Sequence, residues 1–183
     1  MTGDAPRPAV FLDRDGVLNL LVERGGVLVS PSVAADFRIC EGAPEAVAAL
    51  RRAGLPVFVV TNQPDLARGG LDWRQHELML DALRSAVAVD EVGVCPHDDA
   101  DRCACRKPAP GLLQDLARRH GIDLSRSVVV GDGWKDVEAG RRAGCRTILL
   151  RRPYNEAASA DVVVGTLADA VARILEPGSR ISS

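Results

Sequence analysis

The chain has 183 residues, is 46% hydrophobic and carries a net charge of −2, enough to bury one good core and too balanced to advertise a nucleic-acid or membrane surface. No apolar run approaches the roughly 18 residues of a membrane span, and the start "MTGDAPRP" lacks the basic and apolar parts of a signal peptide, so a cytoplasmic protein with small soluble partners is expected. In that reducing compartment five cysteines, an odd number, read as metal ligands or buried side chains rather than disulfides.

In chain order, residues 1–8 read as a loose tail. Val10 to Leu12 is a short buried strand. Ala43 to Ala53, with Pro44 near its start and Gly54 as its stop, is a helix, and the β-branched run Leu55 to Thr61 a strand. Asp72 followed by Gln75 predicts a capping box for a helix reaching Ala88, with Trp73, Leu80, Leu83 and Val87 as its apolar stripe. Glu91 to Cys95 is a strand, Gly111 to His120 a helix closed by Gly121, and "SVVVGD" a strand into Asp132. Lys135 to Ala143 is a helix closed by Gly144; "TILL", "DVVV" and Leu167 to Leu175 add two strands and a helix, and 177–183 is a second tail. Such alternation predicts one α/β domain over 9–176: an open, Rossmann-like, mostly parallel sheet with helices on both faces. Its ligand belongs beyond the carboxyl ends of the strands.

The polar clusters fall at those ends. In "AVFLDRDGVLN", Asp13 and Asp15 stand two apart and can point to one side of an extended chain, where like charges repel unless a cation or a proton joins them. An all-oxygen set suits Mg²⁺, and Gly16 permits a tight turn and close approach of a ligand to its N–H. Thr61 and Asn62 end a strand with groups suited to phosphate oxygens, Lys107 offers a compact positive charge, and Asp132 adds a carboxylate with Asp136 four residues on. Of 23 basic residues only Lys107 and Lys135 are lysine. A lysine at 107 therefore points to a phosphate contact as a point charge, where arginine would be a planar fork; Lys135 reads as solvent-exposed.

"CPHDDADRCAC" gives Cys95-x-His97 and Cys103-x-Cys105. Three thiolates and an imidazole match tetrahedral Zn²⁺, and four protein ligands leave no position for water, so a structural zinc loop over 95–105 is expected, running directly into Arg106 and Lys107. Cys40 and Cys145 fall outside it and read as core or near-core side chains.

The ordered motifs "FLDRDGVLN", "VVTNQ", "RKP" and "VGDGWKD" resemble those of the haloacid dehalogenase superfamily of phosphatases. The resemblance implies that Asp13 is a nucleophile forming an aspartyl-phosphate and Asp15 the general acid and base. It also implies Mg²⁺ held by the Asp13 carboxylate, the Asp15 carbonyl and the Asp132 carboxylate, and a phosphate cradle of Thr61, the Asn62 backbone and Lys107. Asp136 would support Lys107 or a metal-bound water rather than ligate directly. The zinc loop is similar to that of the branch holding heptose bisphosphate phosphatases and histidinol-phosphatase domains, which implies substrate contacts for Arg106 and, through "TNQPDLARG", Arg68. Pro64, Asp65 and Trp134 depart from that branch's pattern. The expected activity is hydrolysis of a small phosphorylated metabolite, foremost a heptose 1,7-bisphosphate, with histidinol phosphate or another sugar phosphate as the alternative, by a monomer without a separate cap domain. The loop from Glu23 to Asp36 is expected to recognise the leaving group. A polynucleotide 3′-phosphatase fits the acidic balance poorly, and a receiver-like signalling domain would lack both the paired carboxylates and the zinc loop.

Overall fold

A computed structural model of the chain describes residues 5–155 and 159–178. β1 (Val10–Leu12), β4 (Val57–Asn62), β5 (Glu91–Cys95), β6 (Val128–Gly131), β7 (Arg146–Leu150) and β8 (Val162–Val164) form one sheet, and β2 (Val22–Arg24) pairs antiparallel with β3 (Val27–Val29) as a separate hairpin. The sheet order is β5-β4-β1-β6-β7-β8, and every pairing is parallel. The chain thus starts in the middle, runs outward through β4 and β5, and returns to the other side of β1 at β6. That reversal opens a crevice at the carboxyl ends of β1, β4 and β6.

Side-chain alternation along the strands builds a core on each face. Val10, Leu12, Val57, Val59, Val128 and Val130 pack with α1 (Ala43–Arg52), α3 (Trp73–Ala86) and α6 (Leu167–Leu175). Phe11, Phe58, Val60 and Val129 pack with α4 (Gly111–His120) and α5 (Trp134–Ala143) on the other face. Phe11 and Phe58, side by side on β1 and β4, stack with centroids 5.4 Å apart. No described helix is long and apolar enough to cross a membrane.

Several expectations shift. Arg7 does not trail as part of a tail: its N–H donates to the Gly121 carbonyl at 3.1 Å and its carbonyl accepts from the Asp123 N–H at 2.9 Å. Residues 1–4 and 179–183 of the expected tails lie outside the described residues. Asp72 does cap α3, accepting from the N–H groups of Arg74 and Gln75, but the Gln75 side chain turns away to accept from the Ala34 N–H at 2.8 Å, tying α3 to the segment after the hairpin. Trp73, expected on the apolar stripe, is 56% exposed, and His76 and Met79 take the buried positions instead. The segment from Glu23 to Asp36 is more ordered than the loop its sequence predicts. It holds the β2–β3 hairpin, turning through Gly25 and Gly26, both at positive φ, as a tight hairpin connection requires.

His76 is buried, and neither ring nitrogen has a hydrogen-bond partner among the described residues. Burial, aided by the nearby charge of Arg14, pushes its pKa down to about 4, whereas in the unfolded chain it titrates near 6.5. Its contribution to stability is therefore fully present above about pH 6.5 and is lost as pH falls toward about 4. The expected result is that His76→Leu gains stability relative to the wild type as pH is lowered through that window. Equilibrium unfolding of both proteins at several pH values checks it, and a pH-independent difference would refute the assignment.

Candidate active site

β1 ends at Leu12, and the next residues carry the chain into the crevice. Asp13 is fixed by its own N–H, which donates to the Val130 carbonyl of β6 at 2.9 Å. Opposite it, Lys107 reaches in from the segment after the cysteine loop. Its Nζ donates to Asp13 Oδ1 at 2.7 Å, to Asp136 Oδ1 at 2.5 Å and to the Val60 carbonyl at 2.8 Å. All three side chains are buried. Asp136 is itself held by the Gly133 N–H on its other oxygen, at 3.0 Å, at the start of α5. Gly131 makes room for it, since a Cβ there would overlap the Asp136 side chain.

Asp132, one residue beyond β6, completes the group. Oxygens of Asp13, Asp132 and Asp136 lie within 4.8 Å of one another. Three buried carboxylates face one ammonium, and the electrostatics follow. Burial, and then Asp136, push Asp13 well above the ordinary carboxylate range against the pull of Lys107. Asp132 is pushed up to about 6 by burial with Asp136 adding, while a hydrogen bond from Tyr154 opposes. Burial works against the charge on Lys107, but Asp13 and Asp136 outweigh it and hold the ammonium protonated. An unbalanced, all-oxygen donor set of this kind fits a hard divalent cation such as Mg²⁺.

Asp15 stands apart from that cluster. Its carboxylate faces a set of donors: Asn19 Nδ2 reaches Oδ1 at 2.9 Å, Gln63 Nε2 reaches Oδ2 at 2.8 Å, and Arg14 Nη2 lies 3.0 Å from both oxygens. Arg14 is fully buried, its guanidinium 5.7 Å from the centroid of Phe37. Gln63 also donates to Thr61 Oγ1 at 2.8 Å, which links the end of β4 to Asp15. Sequence reasoning gave Arg14, Asn19 and Gln63 no role, although all three stand inside the quoted motifs.

Asn62 acts on Lys107 through the main chain: its Oδ1 accepts from the Lys107 N–H at 3.0 Å and its Nδ2 donates to the Lys107 carbonyl at 2.9 Å. Upstream, the sulfurs of Cys95, Cys103 and Cys105 and Nδ1 of His97 converge, with separations of 3.2 to 3.6 Å. Metal–ligand bonds of about 2.0–2.3 Å to a central zinc ion would place tetrahedral ligands roughly 3.5–3.8 Å apart, so the four groups already occupy the corners of such a site. Burial first, then hydrogen bonding with Cys105, pushes the Cys95 thiol up to about 12. Of the remaining cysteines, Cys145 is buried and Cys40 half-buried.

The rim is charged and apolar at once. Asp13, Asp15, Thr61, Asn62, Lys107 and Asp132 line a cavity of about 440 Å³, whose mouth also carries Arg68, Arg106, Trp134 and, from the hairpin side, Leu28 and Val29. Arg68 forks onto Asp98 at 2.6 and 2.7 Å, and Arg106 Nε meets Asp99 at 2.6 Å. Trp134 is exposed, with Lys135 Nζ 5.8 Å from its ring centroid.

The family model of haloacid dehalogenase-like hydrolases matches residues 8–144, which span every motif just described. The chain belongs to this family. A relative in Rhodopseudomonas palustris, D-glycero-beta-D-manno-heptose-1,7-bisphosphate 7-phosphatase, is 43% identical over 157 residues, 79% of this chain and 84% of the relative. A D-glycero-alpha-D-manno-heptose-1,7-bisphosphate 7-phosphatase of Photorhabdus laumondii is 30% identical over 80% of this chain and 85% of its own. Among solved structures, the D,D-heptose 1,7-bisphosphate phosphatase of B. bronchiseptica complexed with magnesium and phosphate aligns at a TM-score of 0.79 and 32% identity, covering 92% of this chain and 98% of that one. This haloacid dehalogenase-like hydrolase is a phosphatase.

Proposed function

We propose that the chain removes the 7-phosphate of D-glycero-beta-D-manno-heptose 1,7-bisphosphate through an aspartyl-phosphate on Asp13. The observation that carries the chemistry is the buried Asp13–Lys107–Asp136 arrangement beside Asp132 at the switch point of the sheet. The substrate is supported by relatives of that name, at 43% identity for the beta-anomer enzyme against 30% for the alpha.

A carboxylate oxygen of Asp13 attacks phosphorus as the bond to the leaving alkoxide breaks, and the Asp15 carboxyl gives that alkoxide its proton. Asp15 then takes a proton from water, which attacks the aspartyl-phosphate and frees Asp13 and inorganic phosphate. Lys107 orients Asp13 and offsets charge on the phosphoryl oxygens, with Thr61 Oγ1 and the Asn62 N–H completing the cradle. The Asp13 and Asp132 carboxylates and the Asp15 carbonyl would hold Mg²⁺, which when bound neutralises charge on the transferring group. Cys95, His97, Cys103 and Cys105 would hold a structural Zn²⁺ that fixes the approach to Arg106 and Lys107.

Arg68 and Arg106 stand at the mouth, where a distal phosphate would lie. Arg68 and Asp99 are each solvent-exposed members of their pairs with Asp98 and Arg106, so a dianionic phosphate can compete with the aspartates for both guanidinium groups. The hairpin residues Leu28 and Val29 give the leaving group an apolar wall. The protein acts as a cytoplasmic monomer on this small substrate, with no nucleic-acid or membrane partner.

Phosphate release tests this, with Mg²⁺, from both heptose 1,7-bisphosphate anomers, histidinol phosphate, fructose 1,6-bisphosphate and a 3′-phosphorylated oligonucleotide. The highest kcat/KM is expected on the beta anomer. A higher value on histidinol phosphate or the oligonucleotide would replace the substrate and leave the chemistry, and no turnover of any would overturn both.

A further inference from the structure

The segment that follows β7 reaches back to the site at three points. Arg152 Nη2 donates to the Gly16 carbonyl at 3.0 Å, and its Nη1 donates to the Gly165 carbonyl at 3.0 Å. Asn155, buried, donates through Nδ2 to the carbonyls of both Asp132 and Leu150 at 2.7 Å, while its Oδ1 accepts from the Arg152 N–H at 2.8 Å. Between them the Tyr154 hydroxyl donates to Asp132 Oδ2. The strap therefore grips the turn after Asp15, the main chain of Asp132 and the carboxylate of Asp132 together.

The packing of Gly16 belongs to the same device. Gly16 sits at φ +80, and a Cβ there would overlap the Asp132 carboxylate and come within 3.1 Å of the Tyr154 hydroxyl. The turn of the first motif is thus cut away to admit a carboxylate and a phenol in contact. Tyr154 itself is half-exposed, at 47%, so burial of its ring does not account for its position. What its position does provide is a donor for one oxygen of a buried carboxylate, which leaves the other oxygen for a cation. A ligating carboxylate whose second oxygen is hydrogen-bonded keeps its orientation when the ion leaves, and loss of such a partner typically weakens metal affinity about 10–100-fold.

We infer that Tyr154 is a positioning residue for the divalent-cation site: its hydroxyl orients Asp132 from behind, as the outer end of a strap formed by Arg152, Tyr154 and Asn155. The inference rests on the reading of Asp132 as a cation ligand. Neither motif spacing nor the quoted signatures point to residue 154, which lies beyond the last of them.

Tyr154 is the only tyrosine in the chain, so isotope-labelled tyrosine gives a single ring-carbon resonance next to the hydroxyl. Mg²⁺ affinity of the substrate-free protein is measured by calorimetry for the wild type and Tyr154→Phe, and the tyrosine resonance is followed through the same titration. The expected results are an affinity about 10-fold weaker in Tyr154→Phe, a tyrosine signal that moves with the wild-type binding isotherm, and a rate deficit in the variant that recovers as Mg²⁺ is raised. An unchanged or tighter affinity in Tyr154→Phe, with an unmoved thermal midpoint, overturns the inference, as does a tyrosine resonance that stays still while Mg²⁺ binds. Absence of Mg²⁺ binding by the wild type is a separate failure: it removes the cation ligands from the proposed function and the inference with them.

Discussion

Asp13→Asn is expected to lower kcat by at least about 10⁴-fold, because the amide keeps the volume of the side chain but cannot form the covalent intermediate. The same substitution is expected to stabilise the fold in Mg²⁺-free buffer at neutral pH. Burial first, and then Asp136, hold the Asp13 carboxyl well above its ordinary range, so ionisation of this group is worse tolerated folded than unfolded. The sign follows: the fold carries no penalty from Asp13 below the usual carboxylate pKa of about 4, and stability is lost as pH rises from there through the raised value. Asparagine never ionises, and Lys107 keeps Asp136 and the Val60 carbonyl as partners. Thermal unfolding of both proteins across this range should show the variant ahead at pH 7 and the gap closing toward acid. A variant that turns over substrate within tenfold of the wild type excludes Asp13 as nucleophile; one that is inactive but less stable at pH 7 excludes repulsion as the state of the unloaded site.

Sequence carried the architecture as far as each signal was local. Strand and helix alternation, glycine stops and the apolar strand cores sufficed for the sheet, and the motifs fell at the carboxyl ends where Asp13, Thr61, Lys107 and Asp132 line one cavity. Two kinds of information stayed hidden. One is which polar group serves another: the Asn62 amide looked suited to phosphate oxygens, yet that side chain is spent on both main-chain groups of Lys107, and Asp136, expected beside Lys107 and found there, also accepts from the Gly133 N–H, which spacing did not suggest. The other is contact across long sequence distance. Arg152 meets Gly16 and Tyr154 meets Asp132 only because β7 lies beside β6 and β6 beside β1, a neighbourhood that register and strand order create and spacing cannot. Helix phase held for Leu80, Leu83 and Val87, which are buried, but Trp73, the first residue of α3, is exposed, and His76, to which the sequence assigned no role, is buried.

Removal of zinc is expected to silence the enzyme without unfolding its sheet. Cys95 is the last residue of β5, fully buried and in register with Asn62, while Cys105 lies two residues before Lys107. A metal ion joining Cys95, His97, Cys103 and Cys105 would therefore fasten the entry to Lys107 onto the strand edge, while the Asn62 side chain fastens Lys107 itself. Take the ion away, and three thiol groups and an imidazole packed at 3.2 to 3.6 Å have little reason to stay together. In zinc-finger peptides such an ion supplies about 10–16 kcal/mol of apparent binding energy, which is folding energy where the site does not preform. Here the two sheet-face cores contain Cys95 in neither cluster, so that energy would hold the loop rather than the domain. Misplacing a stabilising charge of the transition state costs on the order of 10²–10³-fold in kcat, and that loss is expected for zinc-stripped protein assayed with Mg²⁺ restored, and for Cys105→Ser. Metal analysis should find one zinc per chain in the intact protein, far-UV circular dichroism should change little on stripping, and readdition of Zn²⁺ should restore turnover. Full activity in zinc-free protein would show that Asn62 alone suffices to place Lys107, and the loop would then need another reason to exist.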